Sequence, residues 1–587
     1  MTIQEKLHSA ISEALKNLGA PDVSFSLEHP KNLSHGDFMT NAVLKVFGPV
    51  THGQIKTHFE KNVTWTVWPA NLRERFNNPK VLAEDIKKFI EEANISEIEK
   101  IEIAGPGFLN FKLKDSFFAE LNKSIFVQGE EFGKSHVHAG KKILAEHSSP
   151  NLFKPFHIGH MMNNAIGESL VQIMKFSGAD VSTMSFPSDI SLGVAKAVFV
   201  LLEKFGADFI PTEISVLGDA YVEGTKRYDD DESVHERVKE IADNLYSEIA
   251  SPELSIFEKC KTFNIVYFES VTEKLGSHFD SYIYESEAGV DGKKIVEENT
   301  PNVFTKSEGA TVYIPDESQK NLNTLVFINS QGNPTYEAKD IGLLDLKFSR
   351  INPDLSLFVT DHHQIPHFDV VLDAAGKINK TWKEKSVHIP HGRMSFKGQK
   401  MSSRLGGVPL ATEIIETVAD EAMEKSEKNS DRATAEMIAI AAIKFSILRT
   451  KPGQNINFDP ETSLSFEGDS GPYLQYTHAR ISSLIEKAAT LGISPSYKSS
   501  EPATDLERVT LQFSTVVENA ITEYAPQHIV TYLLELARTF NSFYGANKII
   551  DEADTETSAH RLAIASATQV VLKNGLKLLG IKAPEKM

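Results

Sequence analysis

The sequence predicts an α/β multidomain protein on three observations. At 587 residues the chain is too long for one core, and about one domain per 150 residues suggests three or four. Residues 141–190 read as strand, glycine-containing loop, helix, strand, which is the βαβ pattern of a parallel sheet. From about residue 411 onward one helical pattern follows another. The predicted architecture is a Rossmann-like parallel-sheet domain with a helical insertion, a small N-terminal α/β domain and a C-terminal all-α helical bundle. The expected boundaries are 1–120, 121–410 with the insertion near 191–300, and 411–587.

In chain order, helical patterns at 1–19 and 82–95 surround short strands at Ile101–Ile103 and Phe108–Leu113. AGPGFLNF, 104–111, is a Gly/Pro turn feeding the second of these. The stretch between Phe47 and Asn78, with Trp65 and Trp68, reads as a surface excursion. KKILAEHSS is a buried-strand signal, a helix runs through Lys175, and GADVSTMSF is the next strand. Residues 191–290 are mostly helical, with caps expected at Ser191 and Asp219. Strand signals return at 311–315, 324–329 and 355–361, which suggests a second α/β half after the insertion. Turn signals fall near Gly468 and Gly471, and the chain has no internal repeats.

Composition sets limits. The single cysteine, Cys260, excludes disulfides within the chain and cysteine-ligated zinc, and points to a reducing, cytoplasmic setting. The N-terminus reads as an amphipathic helix with no apolar signal core, and no run approaches a membrane span of about 20 apolar residues. The net charge of −19 argues against a nucleic-acid partner, but its distribution softens that. Residues 1–120 hold 14 Lys/Arg against 16 Asp/Glu, and 471–587 hold 11 against 12, so nearly all the excess lies between. Either end can present a local basic face.

The stretch SSPNLFKPFHIGHMMNNAIGESL, 148–170, places His157 and His160 around Ile158-Gly159. Three readings are open. His-x-x-His can bind metal, since positions three apart share a helix face, but a third ligand would have to come from elsewhere and HExxH is absent. A core histidine pair is the bland alternative. The third reading uses context: where a parallel strand ends and a helix begins, an anion is favoured. There Gly159 would let a flat base or ribose approach the backbone, and two imidazoles would donate to phosphate oxygens. A second stretch, GRMSFKGQKMSSRLGG (392–407), is rich in Gly, Ser and Lys, and its Lys397, Lys400 and Arg404 suit a polyanion. Alone it would be a solvated loop; paired with His-Ile-Gly-His about 240 residues earlier, it is hard to obtain by chance.

His157-Ile158-Gly159-His160 and Lys400-Met401-Ser402-Ser403-Arg404 resemble the two signature motifs of class I aminoacyl-tRNA synthetases. AEHSSPN, PTYEAKD, DHHQIPHF, SFEGDSGPYLQYTHARISSLI and the terminal LGIKAPEKM resemble the arginyl-tRNA synthetase family in particular, over nearly the whole chain. The resemblance implies activation of arginine with ATP and Mg²⁺, then transfer to the 3′ end of tRNA(Arg). It implies His157, His160 and Lys400 as catalytic residues. ATP would meet Asn151, Lys154, His157, Gly159, His160, Gly392, Met394, Lys400, Met401, Ser402 and Ser403. Arginine would meet Tyr336, Asp340 and Gln364 at its side chain, and Glu146, Ser148 and Asn151 at its α-amino and carboxylate ends. That set suits the substrate, because a guanidinium is planar, always charged and rich in donors. No protein-only metal cage is implied.

The same resemblance implies tRNA contacts at both ends: Phe108 and Asn110 in an elbow-binding N-terminal domain, and Tyr473, Arg480 and Met587 in an anticodon-binding bundle. It implies that pyrophosphate exchange waits for tRNA, and that the protein is a cytoplasmic monomer without a membrane partner. Two departures stand out. SFPSDISLGVAKAV, 185–198, replaces the Gly-Asp-Trp-Gly stretch of many relatives, and the residues around Trp65 and Trp68 have no counterpart. Two alternatives remain, another class I specificity and a non-catalytic paralogue that binds RNA. The Tyr336/Asp340/Gln364 set speaks against the first, and the retention of both motifs against the second.

Overall fold

The structure, a computed structural model, describes residues 2–20, 23–47, 78–247, 250–316, 318–319, 321–396, 410–425, 431–498 and 501–587. The Trp65/Trp68 stretch and residues 397–409, with Lys400, Met401, Ser402, Ser403 and Arg404, lie outside the described residues. The chain forms two compact units. The first comprises Met1–Phe132, Leu484–Thr515 and Arg538–Val571, the second Gly133–Ser483, Val516–Ala537 and Leu572–Met587.

The first unit is built on an antiparallel four-stranded sheet, in the order Leu27–Glu28, Phe38–Thr40, Phe108–Leu113, Ile98–Ala104. Helices Ile3–Asn17 and Pro79–Glu92 cover it with Leu7, Ile11, Leu15, Leu82, Ile86 and Ile90, all almost fully buried. The spacing of those residues at every fourth position places one apolar stripe on each helix. Thr2 and Glu5 form a reciprocal capping box that starts the first helix. The later segments join the unit through buried polar contacts. Arg508 pairs with the fully buried Asp37, whose other oxygen accepts the Leu113 amide at 2.7 Å, and Asn122 donates to Glu507 at 2.6 Å.

The second unit carries a five-stranded, wholly parallel sheet in the order Ser386–His391, Leu355–Asp361, Lys142–Glu146, Asp180–Ser185, Ser281–Tyr282. The chain runs outward from Lys142–Glu146 in one direction and later returns to its other side. The strand order therefore reverses between Lys142–Glu146 and Leu355–Asp361, the crevice where open α/β sheets bind ligands. Of the three returning strand signals, only the one at 355–361 joins this sheet. Ala310–Tyr313 lies between Leu325–Ile328 and Thr305–Ser307 and pairs with each in a separate antiparallel sheet. A strand signal records local burial, and the partner is chosen by the rest of the chain.

The insertion comprises helices Leu192–Phe205, Ile214–Asp230, Glu232–Tyr246 and Pro252–Lys274. Ser191 caps the first by accepting from the Val194 amide at 3.2 Å, as expected. Asp219 is not a cap. It lies inside the second helix, which begins at Ile214, because Leu217 and Ala220 bury against Val194, Val198 and Leu201 and extend the helix towards its N-terminus. Among the described residues from Ala411 onward the elements are helical except for Ile456–Phe458, which pairs in parallel with Met394–Phe396. Among the described residues no helix is long and apolar enough to cross a membrane.

Candidate active site

The central strand Lys142–Glu146 ends in His147 and Ser148, both fully enclosed. Helix Ile158–Phe176 packs so closely on this turn that a Cβ at Gly167 would stand 2.2 Å from the His147 ring. Burial drives His147 down to about 3, so its imidazole is neutral. Ser148 has a φ of 57°, and its amide donates to Asn163 Oδ1 at 2.7 Å. Asn163 in turn donates to the Val359 carbonyl at 2.6 Å, tying the helix to both strands that flank the crevice. The Ser148 hydroxyl faces His147 at 3.0 Å, so it is engaged inside the protein.

His157 caps that helix. Its Nδ1 accepts from the Gly159 amide at 3.1 Å, and His160 Nδ1 accepts from the His157 amide at 3.3 Å. The two histidines thus form a capping box with imidazoles in place of the usual hydroxyl and carboxylate. With both Nδ1 atoms accepting, each ring carries its proton on Nε2. Burial, then the neighbouring Lys154, depresses His157; burial, then His157 and Lys154, depresses His160 further. The rings stack at 3.8 Å and 14°. The space at Gly159 serves this pair: a Cβ there would lie 3.0 Å from His157 Cε1. Lys154 sits 4.3 Å above the Tyr221 ring, and exposed Asn151 pairs through its backbone with Ser188.

Helix Tyr336–Arg350 presents Tyr336, 65% exposed, and Asp340, one turn further on. Asp340 Oδ2 accepts from His367 Nε2 at 2.6 Å, and His367 Nδ1 lies 3.5 Å from Glu337. Burial opposes a charge on His367, but the bonds to Asp340 and Glu337 prevail and lift it to about 9. Burial raises Asp340, and His367 holds that rise back. Gln364, exposed, precedes helix Ile365–Ile378 and makes no side-chain cap bond there. Glu146 pairs with the buried Lys347; the contact is ionic, since Glu146 Oε2 accepts no aligned hydrogen bond. Glu146, Asp340 and Lys347 line one cavity of about 20 Å³ with Leu343, Phe358 and Phe368, space enough for a water. Two of the expected arginine residues, far apart in sequence, therefore meet there.

On the nucleotide side, Gly392 is buried where a Cβ would fall 2.0 Å from the Gln454 carbonyl, so the close approach is to the protein's own chain. Met394 begins the strand paired with Ile456–Phe458. Asp361, His362 and His363 bring one ligand atom each within 4.8 Å, at the carboxyl end of Leu355–Asp361, where Asp361 also accepts from Arg393 at 3.0 Å.

The residues expected to meet RNA sit on two elements. Phe108 is half-buried and Asn110 buried on strand Phe108–Leu113. Tyr473 and Arg480 are half-buried on helix Gly471–Thr490, with Arg480 4.7 Å over the ring of Tyr476. The final residues lie along that helix: Gln475 donates to the Lys582 carbonyl and His478 meets the Pro584 carbonyl, each at 2.8 Å, leaving Met587 41% exposed. Residue-by-residue reading missed Glu337, His367, Lys347, Asn163 and Tyr476. Glu337 and His367 lie within PTYEAKD and DHHQIPHF, so their signal was adjacency to residues already singled out.

A parallel sheet with a switch point, and a histidine-capped helix leaving its central strand, place the chain among class I aminoacyl-tRNA synthetases. Its specificity group follows from comparison. Residues 122–459 match the model for tRNA synthetases class I (R), catalytic domain, 5–113 that for the arginyl tRNA synthetase N terminal domain, and 474–587 that for the DALR anticodon binding domain. The chain belongs to the arginyl-tRNA synthetase family. Among relatives it is 30% identical to an arginine–tRNA ligase of Clostridium acetobutylicum, over 87% of this chain and 91% of that protein. With one from Treponema denticola it shares 29% identity over 87% and 90%. In fold it resembles the arginyl-tRNA synthetases of Thermus thermophilus, at TM-score 0.78, 24% identity and complete coverage of both chains, and of Plasmodium falciparum, at TM-score 0.78, 20% identity and coverage of 100% and 99%.

Proposed function

We propose how this chain divides the arginine–tRNA ligase reaction among its residues. The reaction is that of its family: ATP activates arginine, and the arginyl group passes to tRNA. His157 and His160 donate from Nε2–H to the phosphate oxygens that gain charge as the arginine carboxylate attacks the α-phosphate. Both act as neutral donors and need no proton transfer, so catalysis rests on position and electrostatics. The observation that carries this reading is the reciprocal histidine cap, which leaves Nε2–H as the donor on each ring.

Asn151 and Lys154 take the remaining phosphate contacts, Gly159 clears room for the histidines, and Gly392 to Met394 offer backbone to the adenine. Lys400, with Met401, Ser402 and Ser403, is assigned to the leaving pyrophosphate on the strength of its motif alone. Tyr336, Asp340 and Gln364 receive the guanidinium. Glu146 and Asn151 receive the α-amino and carboxylate ends, with Ser148 contributing through its backbone. Glu146 is already paired with Lys347, so the α-ammonium shares that carboxylate with Lys347.

Mg²⁺ would accompany ATP. The Asp361–His362–His363 group offers imidazoles rather than the hard oxygens Mg²⁺ prefers, so phosphate oxygens would be its principal ligands. Phe108 and Asn110 face the tRNA elbow, and Tyr473, Arg480 and Met587 the anticodon arm, in a monomeric cytoplasmic enzyme. A charging assay with total tRNA and each amino acid in turn tests the assignment. Charging by arginine alone is expected, and equal charging by a second amino acid would overturn the pocket.

A further inference from the structure

Four carboxylates surround the arginine side of the crevice: Glu146, Glu285, Glu337 and Asp340. Lys347 neutralises Glu146, and Lys339 neutralises Glu285 at 2.8 Å. Among the described residues Glu337 and Asp340 share one cationic partner, His367. With His367 charged, four negative charges face three positive ones, and the pocket is short of one cation. The substrate side chain brings one. Among the described residues Asp340 Oδ1 accepts no hydrogen bond, while Oδ2 is taken by His367.

We propose that His367 is a positioning residue for arginine recognition, an imidazolium bracketed by Glu337 and Asp340 that keeps Asp340 ionised and turns its free oxygen to the guanidinium. This rests on the reading of Asp340 as an arginine ligand. The physical need is clear. A carboxylate with 14% exposure, near Glu146 and Glu285, tends to take up a proton in the absence of a cation. A protonated Asp340 would lose the charge-assisted fork that recognises a guanidinium. His367 stands in the first turn of helix Ile365–Ile378, where the helix dipole opposes a positive charge. Its charge therefore depends on the two acids facing it from helix Tyr336–Arg350. The other histidine near it, His388 on Ser386–His391, is neutral, because burial drives it to about 4. Phe368 meets the His367 ring edge-on at 4.9 Å and fixes its plane.

The test is steady-state aminoacylation by the full chain with its tRNA, arginine varied, from pH 6.5 to 8.5, for the wild type and three variants. His367→Ala is expected to raise the KM for arginine by about 10- to 100-fold, the effect of stripping the partner from a buried charge. Its kcat at saturating arginine should stay within about 3-fold, since the interaction serves binding. His367→Gln keeps an N–H near the Nε2 position without the charge. Its arginine KM should approach that of the wild type at pH 8.5 and rise as pH falls to 6.5, as Asp340 takes up a proton. The wild type should be nearly flat.

An unchanged arginine KM in His367→Ala, or a fall in kcat alone, would overturn the proposal. If His367→Ala fails to fold, a pH-independent KM in His367→Gln overturns it equally. Asp340→Asn separates the two layers. If it leaves the arginine KM unchanged, the arginine pocket itself is misassigned; if it raises KM while the His367 variants behave as wild type, only the role of His367 fails.

Discussion

His157 and His160 start one helix, His367 lies in the first turn of another, and their surroundings favour opposite charge states. On the nucleotide side both Nδ1 atoms accept backbone amides, the rings are buried, and Lys154 is near, so protonation is disfavoured. On the arginine side both nitrogens of His367 face carboxylates, which hold the proton up to about 9. The difference shows that a helix N-terminus does not decide a histidine's charge. The groups within hydrogen-bond reach do, and each state would suit the substrate proposed for it. Under the proposed assignment, neutral donors would sit beside a triphosphate, with Lys154 a cation close by. An imidazolium between two acids leaves one negative charge for a guanidinium.

The contrast can be broken most directly on the nucleotide side. His160→Ala should lower kcat by about 10²- to 10³-fold, the range for loss of one oxyanion donor, with the arginine KM little changed. If kcat holds and the arginine KM rises, the two sides of the crevice have been exchanged. Next in size, Asp340→Ala should cost several kcal/mol of arginine binding, about 10²-fold in KM, by removing the carboxylate assigned to the guanidinium and leaving His367, without its closer partner, as a cation facing it. Kinetics with arginine varied would show a near-normal KM if Asp340 is misassigned.

Thermal unfolding against pH sharpens the comparison. His367 is raised in the folded state, so its stabilising contribution is complete below about 6.5 and is lost as pH climbs through about 9. At ~1.4 kcal/mol per unit, this amounts to at most about 3 kcal/mol. The depressed histidines have the opposite sign. His147, at about 3, destabilises the fold as pH falls below 6.5, because the unfolded chain then binds a proton that the folded one refuses. His367→Gln should abolish the alkaline decline between pH 7 and 9.5 and leave the acid limb in place. The smallest effect is expected from Arg480→Ala, which removes a cation stacked on Tyr476. The KM for tRNA should rise by about 3- to 5-fold, from a contact of roughly 1 kcal/mol, with less dependence on salt than in the wild type.

Much of this molecule is legible along the chain. The Thr2 and Ser191 caps, the strands at 142–146 and 355–361, and the motif helix beginning beside His157 all follow from signals within a few residues of each element. The expectations that failed needed partners from elsewhere. Asp219 has the residue type of a cap, but burial of Leu217 and Ala220 starts the helix earlier. The signals at 311–315 and 324–329 correctly indicate extended chain, yet hydrogen bonding between them makes a separate antiparallel sheet. Glu146 is a separate case: its segment gives no sign of its partner, because the cation opposite it, Lys347, is supplied by another helix.

The sequence by itself determined the βαβ order and the two motifs, because caps, periodicity and motif spacing are local; the residues expected at a guanidinium came only through its resemblance to a family. The tertiary structure alone decided which carboxylates share a cation, which imidazole nitrogen carries a proton and which histidine is charged. Those properties depend on burial and on groups brought within about 3 Å by chain far away in sequence, where the low dielectric makes each neighbour count.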